Sequence, residues 1–281
     1  MNFFNNGKTV IYYEDYSSHH DEVICFSNSL GTDNRLWNKI LCHFTDYFRV
    51  ITYDKRGHGL SNKPISKISI EDLALDISDL LEHLKIKKVN FVGISIGGMI
   101  AQKLASIKPN LINKLILCDT AVKIGNYDIW NERIELLKKK GIIGISDFII
   151  ERWFSKSFIL SNLNEIQIYK NMLNTTSIQG YIECCEAIKE ADLSMSTQLI
   201  KNPTLVLVGS NDLSTPPEQV QSTANLIKNS KFHVIKNSGH LPCVDNPDEF
   251  AKIIKNFLLE NYGEFMNTKF KKGMRTRKAV L

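Results

Sequence analysis

The sequence predicts an α/β fold, a mostly parallel sheet covered on both faces by helices. Three observations predict it. Continuous apolar runs of strand length alternate with amphipathic segments of helical period. One such run, Val89-Asn90-Phe91-Val92, passes through Gly93-Ile94-Ser95-Ile96-Gly97 straight into a helical stretch, Gly98 to Ala105. The interval from Asp119 to Thr204 carries no strand signal and reads as helices inserted into the alternation.

The elements follow in order. Thr9 to Tyr13 and Val23 to Phe26 read as early strands, and Val50 to Tyr53 as the next. Asp54-Lys55-Arg56-Gly57-His58-Gly59 then turns the chain. In the helix that follows, Ser69 fits the N-cap with Asp72 three residues on. Its Leu73, Ile77, Leu80, Leu81 and Leu84 share one face. After the Val89 run and its helix, Leu115 to Cys118 is a strand. The inserted helices are expected at Trp130 to Lys138, Ile145 to Phe154, Glu165 to Leu173 and Gly180 to Lys189. Thr204 to Val208 is a strand running into Gly209-Ser210-Asn211-Asp212. Pro217 to Lys228 is a helix, Phe232 to Ile235 a last strand, and Asp248 to Glu260 a closing helix. That last helix turns Phe250, Ile253, Ile254, Phe257 and Leu258 inward. An insertion at this point of such a sheet lies over the C-terminal strand ends, where ligands bind. It is therefore expected to act as a cap that excludes water and selects substrate.

Composition sets bounds. A chain of 281 residues that is 43% hydrophobic can bury a large core. The net charge is +5, and the excess falls in residues 264–281. There Lys269, Lys271, Lys272, Arg275, Arg277 and Lys278 face Glu264 alone. The rest is formally neutral and gives no reason to expect a nucleic-acid partner. Cys25, Cys42, Cys118, Cys184, Cys185 and Cys243 show no metal-ligand spacing. Cys25 and Cys118 sit in apolar runs, where a thiol packs as a small hydrophobe. Met1 to Asn6 lacks the basic-then-apolar pattern of an export signal. No apolar run approaches membrane-spanning length, so no membrane partner is expected. Reduced thiols without an export signal point to the cytoplasm. Self-association into a homo-oligomer is left open.

Ser95 carries the chemistry. A serine at a strand-to-helix turn, with glycine two residues away on each side, forms a nucleophile elbow. Its hydroxyl stands clear of the sheet beside the amides that open the helix, which suits attack on a carbonyl. A serine needs a base, and the base needs an orienting acid. His240, in Asn237-Ser238-Gly239-His240, follows the last strand, and Asp212 follows the Thr204 strand. Both are loop positions on the same sheet edge as Ser95. His58 is the alternative base and Asp119 the alternative acid. His19, His20, His43, His83 and His233 are expected at the surface or in packing. The oxyanion needs two N–H donors: Ile96, the residue after the nucleophile, and one from Asn28-Ser29-Leu30-Gly31-Thr32. Leu30 is the choice there, since Gly31 lets the backbone turn in close. Nothing in the sequence calls for a cofactor or metal.

With these residues placed, the chain resembles the α/β-hydrolase family over about residues 8–262, and within it the 3-oxoadipate enol-lactonases. The segments that carry this are Ser27 to Asp33, Tyr53 to Gly59 and the elbow with Gly98-Met99. Leu117 to Gly125, Trp130 to Ile134, Glu151-Arg152-Trp153-Phe154 and Gly180 to Cys185 carry it further. The resemblance implies a mostly parallel eight-stranded sheet. It divides the chain into a core of residues 1–121 and 200–263, a helical cap of residues 122–199, and a basic extension of residues 264–281. It implies a triad of Ser95, Asp212 and His240. The implied reaction opens a five-membered enol-lactone to 3-oxoadipate, in the β-ketoadipate pathway of aromatic degradation. That small substrate is anionic, and a guanidinium can grip a carboxylate with two bonds. Arg133, beside Trp130 on a cap helix, is the expected grip.

The segment Lys272 to Leu281 resembles the opening helix of the 4-carboxymuconolactone decarboxylases, found fused behind the lactonase in some bacteria. It is expected to be a fusion remnant without decarboxylase activity, or a disordered basic extension. Two other function classes stay open: a carboxylesterase or perhydrolase of the same fold, and a ligand receptor that does no chemistry. A halide-releasing enzyme is disfavoured, because its elbow would carry aspartate.

Overall fold

The computed structural model describes residues 1–63 and 66–260. Residues 264–281, with their predicted likeness to a decarboxylase helix, lie outside it. The strands are β1 Asn2–Asn5, β2 Val10–Tyr16, β3 Val23–Ser27, β4 Arg49–Tyr53, β5 Val89–Ile94, β6 Ile112–Cys118, β7 Thr204–Gly209 and β8 Lys231–Ile235. They form one eight-stranded sheet in the order β1-β2-β4-β3-β5-β6-β7-β8. Among the described residues, only the β1–β2 and β2–β4 pairings are antiparallel; the rest are parallel. The expected sheet is present.

Burial explains the pattern. β3, β5 and β7 are buried along their whole length, as strands covered on both faces must be. Helix α1, Ile70–His83, buries Leu73, Ile77, Leu80 and Leu81. Ser69 and Asp72 close a reciprocal capping box at its start. Helix α2, Ile96–Ile107, starts directly at the end of β5. Phe26 of β3 packs against Trp37 and Phe44.

Between β6 and β7 the chain is helical: α3 Tyr127–Lys140, α4 Ser146–Trp153, α5 Lys156–Ser161, α6 Leu163–Asn174, α7 Ile178–Glu190 and α8 Ser194–Thr197. Two glycines record how closely these helices sit on the core. A Cβ on Gly31 would meet Leu173, Tyr181 and Trp153 of the helical segment. A Cβ on Gly180 would overlap the backbone of Gly57. The segment therefore rests on the loops that follow β3 and β4, at the C-terminal edge of the parallel strands. The chain closes with α9 Pro217–Leu226, α10 Pro242–Asp245 and α11 Pro247–Leu259. Among the described residues, no helix is long and apolar enough to cross a membrane.

Candidate active site

Ser95 sits between β5 and α2 with φ 57° and ψ −122°. A non-glycine residue holds that conformation only where its surroundings enforce it. Here they do. The Ser95 N–H donates to the Cys118 carbonyl at 3.0 Å. Its own carbonyl accepts the Thr120 hydroxyl at 2.7 Å and the N–H groups of Gly98 and Met99. A Cβ on Gly93 would strike the Gly97 backbone, and one on Gly97 would strike the Ser27 carbonyl. Both glycines are thus required by close approach. Ser95 is 7% exposed, enough to reach a cavity and little more.

His240 follows β8, and Asp212 follows β7. The loops that carry them are joined by the Asn211 N–H donating to the Ser238 carbonyl at 2.8 Å. Asp245 fixes the histidine loop by accepting the Gly239 N–H at 2.7 Å and the Ser238 hydroxyl. His240 Nδ1 then meets Asp212 Oδ2 at 2.8 Å. The same oxygen accepts the Thr215 hydroxyl, and Asp212 Oδ1 accepts the N–H groups of Ser214 and Thr215. Burial alone would raise the Asp212 pKa, but the neighbouring imidazole and these hydrogen bonds outweigh it and hold the carboxyl below its usual value.

Ser95 makes no hydrogen bond to His240 in this structure. Both line one cavity of about 190 Å³, with Ser29, Leu30, Trp130, Arg133, Arg152 and Trp153 among its other walls. Hydrogen bonds of this kind often close only around substrate. Among the described residues, neither Leu30 N–H nor Ile96 N–H has a protein acceptor. Leu30 also lines the cavity with Ser95, while Ile96 is fully buried at the first position of α2.

The alternatives separate on geometry. His58 is fully buried, and its Nε2 accepts the Gly31 N–H at 3.0 Å. Its Nδ1 faces the Arg56 carbonyl at 3.1 Å, so that nitrogen carries the proton. Burial, then the charge of Lys55, pushes its pKa well below the usual value. His58 is a neutral brace for the Leu30 loop. Asp119 directly follows β6 and accepts the Gly209 N–H at 2.8 Å. Burial and then the Asp212 charge push its pKa well up, and its Oδ2 has no hydrogen-bond partner among the described residues. Asp119, Asp212 and His240 bring donor atoms within 4.8 Å of one another, the spacing of a metal site. Yet hydrogen-bond donors already occupy both Asp212 oxygens, which fits a carboxylate–imidazole pair better than a metal ligand. His19, His83 and His233 are exposed, and His43 lies against Asp248.

Arg133 lies with its guanidinium 5.0 Å from the Trp130 ring. Trp130 is buried, and its indole N–H donates to the Ile124 carbonyl at 2.6 Å. Sequence reasoning missed Arg152, although it quoted the segment that holds it. Arg133 and Arg152 both lie beside the Phe148 ring and both line the cavity. Burial and then the Arg133 charge lower the Arg152 pKa. No carboxylate lies within 4.0 Å of either guanidinium among the described residues. Two cations at one small cavity make a site for an anion.

Comparison with known proteins gives the family. The family model for the alpha/beta hydrolase fold matches residues 22–139 and 160–247. The 3-oxoadipate enol-lactonase 2 of Acinetobacter baylyi is 36% identical over 233 residues, 83% of this chain and 87% of its own length. Enol-lactonase 1 of the same organism is 34% identical, over 84% of this chain and 88% of its own. The crystal structure of the enol-lactonase from Burkholderia xenovorans superposes with a TM-score of 0.89 at 31% identity, covering 92% of this chain and 99% of that one. A thermophilic esterase from Thermogutta terrifontis, solved with malate bound, superposes at 0.85 and 26% identity, covering 92% and 96%. The chain belongs to the α/β-hydrolase family and groups within it with the 3-oxoadipate enol-lactonases, as a hydrolase of that type.

Proposed function

We propose that this protein opens 3-oxoadipate enol-lactone to 3-oxoadipate, in the β-ketoadipate pathway of aromatic degradation. One observation carries the choice within the family: Arg133 and Arg152 share a cavity with Ser95 and His240. A lactone that bears a free carboxylate can place that group on the guanidiniums and its carbonyl on the serine. The malate-bound esterase, a relative that holds a dicarboxylate, supports an anionic ligand here.

Ser95 Oγ attacks the lactone carbonyl while His240 Nε2 takes its proton, with Asp212 on Nδ1 steadying the imidazolium. Leu30 and Ile96 N–H groups receive the oxyanion. The ring C–O bond breaks to an enolate, a far better leaving group than an alkoxide, which takes up the proton that His240 holds to become the ketone and leaves the imidazole neutral. Water activated by His240 then releases the acyl group as a second carboxylate. Trp130 walls the cavity beside Arg133. Residues 122–199 act as the cap that excludes water, over a core of residues 1–121 and 200–263. The chemistry requires no cofactor, nucleic acid or membrane. Six free cysteines support a cytoplasmic site of action.

The test is a pair of rate comparisons. The enzyme should prefer the enol-lactone to p-nitrophenyl acetate in kcat/KM. Preference for the acetate would point to a general carboxylesterase. Ser95→Ala should lower kcat by at least ~10³ with an unchanged melting curve. An unaltered rate would rule out the serine route.

A further inference from the structure

Lys55 is the least expected charge in the molecule. It is 1% exposed. Its recorded acceptors are two uncharged backbone carbonyls, Ser29 at 2.6 Å and Thr32 at 3.4 Å. Burying an ammonium without a carboxylate costs several kcal/mol. A fold that keeps it has a use for the charge.

The Ser29–Leu30 peptide links that charge to the cavity. A trans peptide points its C=O and N–H in opposite directions. The Ser29 carbonyl accepts three donors: Lys55 Nζ at 2.6 Å, the Thr32 hydroxyl at 3.0 Å and the Thr32 N–H at 3.3 Å. The N–H across the same peptide belongs to Leu30 and has no protein acceptor among the described residues. Leu30 lines the cavity with Ser95 and His240. The next peptide is held as well, by the Gly31 N–H to His58, with Gly31 at φ +78°.

We propose that Lys55 is a positioning residue for the oxyanion: its ammonium fixes and polarises the Ser29–Leu30 peptide, so that the Leu30 N–H is presented to the oxygen that becomes negative as Ser95 attacks. This rests on the serine-hydrolase reading above. A cation on the carbonyl side makes the N–H a stronger donor, and more so in a water-poor interior. The gain scales with charge on the acceptor, so it favours the transition state over the bound substrate and belongs in kcat rather than KM.

The charge has a pH limit. Burial lowers the Lys55 pKa to about 8, so the ammonium is lost as pH rises through that value. The groups around it do not titrate there. The Cys184 thiol of α7 is raised by burial to about 12, and His58 is already neutral. Asp54, raised by burial to about 6, is ionised above that pH. Asp33 is paired with Arg35.

Lys55→Met and Ser95→Ala are assayed beside the wild type on the enol-lactone, corrected for spontaneous opening, with near-UV circular dichroism as the fold check. At neutral pH Lys55→Met should lose at least ~10-fold in kcat with KM within ~2-fold, less than the ~10²–10³ of deleting an oxyanion donor outright. Wild-type kcat should fall above about pH 8, and that limb should be absent from Lys55→Met. A folded Lys55→Met with wild-type kcat overturns the proposal and leaves the serine reading intact. Activity surviving in Ser95→Ala overturns the reading itself. Should Lys55→Met fail to fold, the wild-type profile decides, since a kcat that stays flat through about pH 8 and above overturns the proposal.

Discussion

His240 Nδ1 and Asp212 Oδ2 lie 2.8 Å apart, on neighbouring loops whose backbones are bonded to each other. The carboxylate accepts the Nδ1 proton, which leaves Nε2 as the ring's free base. Exchanging Asp212 for asparagine keeps the shape and can present an N–H to Nδ1 instead. The imidazole then takes the wrong tautomer, with its proton on Nε2. Asp212→Asn should therefore lower kcat by ~10⁴ at neutral pH. Steady-state kinetics on the enol-lactone reads this directly, and a loss under tenfold would deny Asp212 the orienting role.

Asp119 stands behind that pair, buried beside a second carboxyl. Its folded pKa is raised well above the unfolded value, by burial first and by the Asp212 charge second. The sign follows: the stability that a proton on Asp119 supports is fully present below the unfolded pKa of about 3.9, and is lost as pH rises toward the higher folded value. Asn is the neutral shape of the protonated acid and titrates nowhere. Asp119→Asn should match the wild-type melting temperature near pH 4 and exceed it near pH 8. A pKa displaced by one unit is worth ~1.4 kcal/mol, so the gain should be at least ~2 °C. Thermal melts at the two pH values check it; a variant less stable at pH 8 would mean that Asp119 is ionised.

The sequence made the sheet legible because β3, β5 and β7 are continuous apolar runs, and continuous apolar runs occur where both faces are covered. It concealed β1, whose Asn2–Asn5 stretch is half asparagine and mostly exposed on the sheet edge. It concealed α5, which has six residues and buries none of them. The meeting of Asp212 with His240 was legible because each follows a strand on the same edge. The roles of Lys55 and Arg152 were not. A lysine in a tight turn reads as solvated until the cap is seen to close over it. An arginine beside Trp153 gives no sign of which face its helix offers the cavity.

The proposed function assigns the substrate carboxylate to Arg133 and Arg152, which line one cavity with Ser95. Hydrogen bonds to a charged group are worth ~1.5–3 kcal/mol, so losing one guanidinium should raise KM for the lactone ~10-fold or more. Arg133→Gln and Arg152→Gln should each do this with kcat little changed. Neither should alter KM for p-nitrophenyl acetate, which has no carboxylate to hold. Equal losses on both substrates would mean that the arginines shape the cap and do not bind the anion.

His58 links pH to the loop that carries Leu30. It is neutral and fully buried, and its folded pKa lies well below the unfolded value, through burial first and Lys55 second. For a base depressed on folding, the stabilising contribution is complete above the unfolded pKa of about 6.5 and is lost as pH falls below it. The wild type should therefore lose stability on acidification from about pH 6.5 downward. His58→Gln can still accept the Gly31 N–H, yet it carries no proton to gain, so its melting temperature should fall less over that range. His58→Leu removes the acceptor and leaves the Gly31 N–H buried without a partner. That omission costs ~1–3 kcal/mol at every pH, and with the loop loosened kcat should fall alongside stability. Melting curves from pH 7 to 5 for the three proteins test this. If His58→Gln tracks the wild type through the acid range, His58 is not the group whose protonation opens the loop.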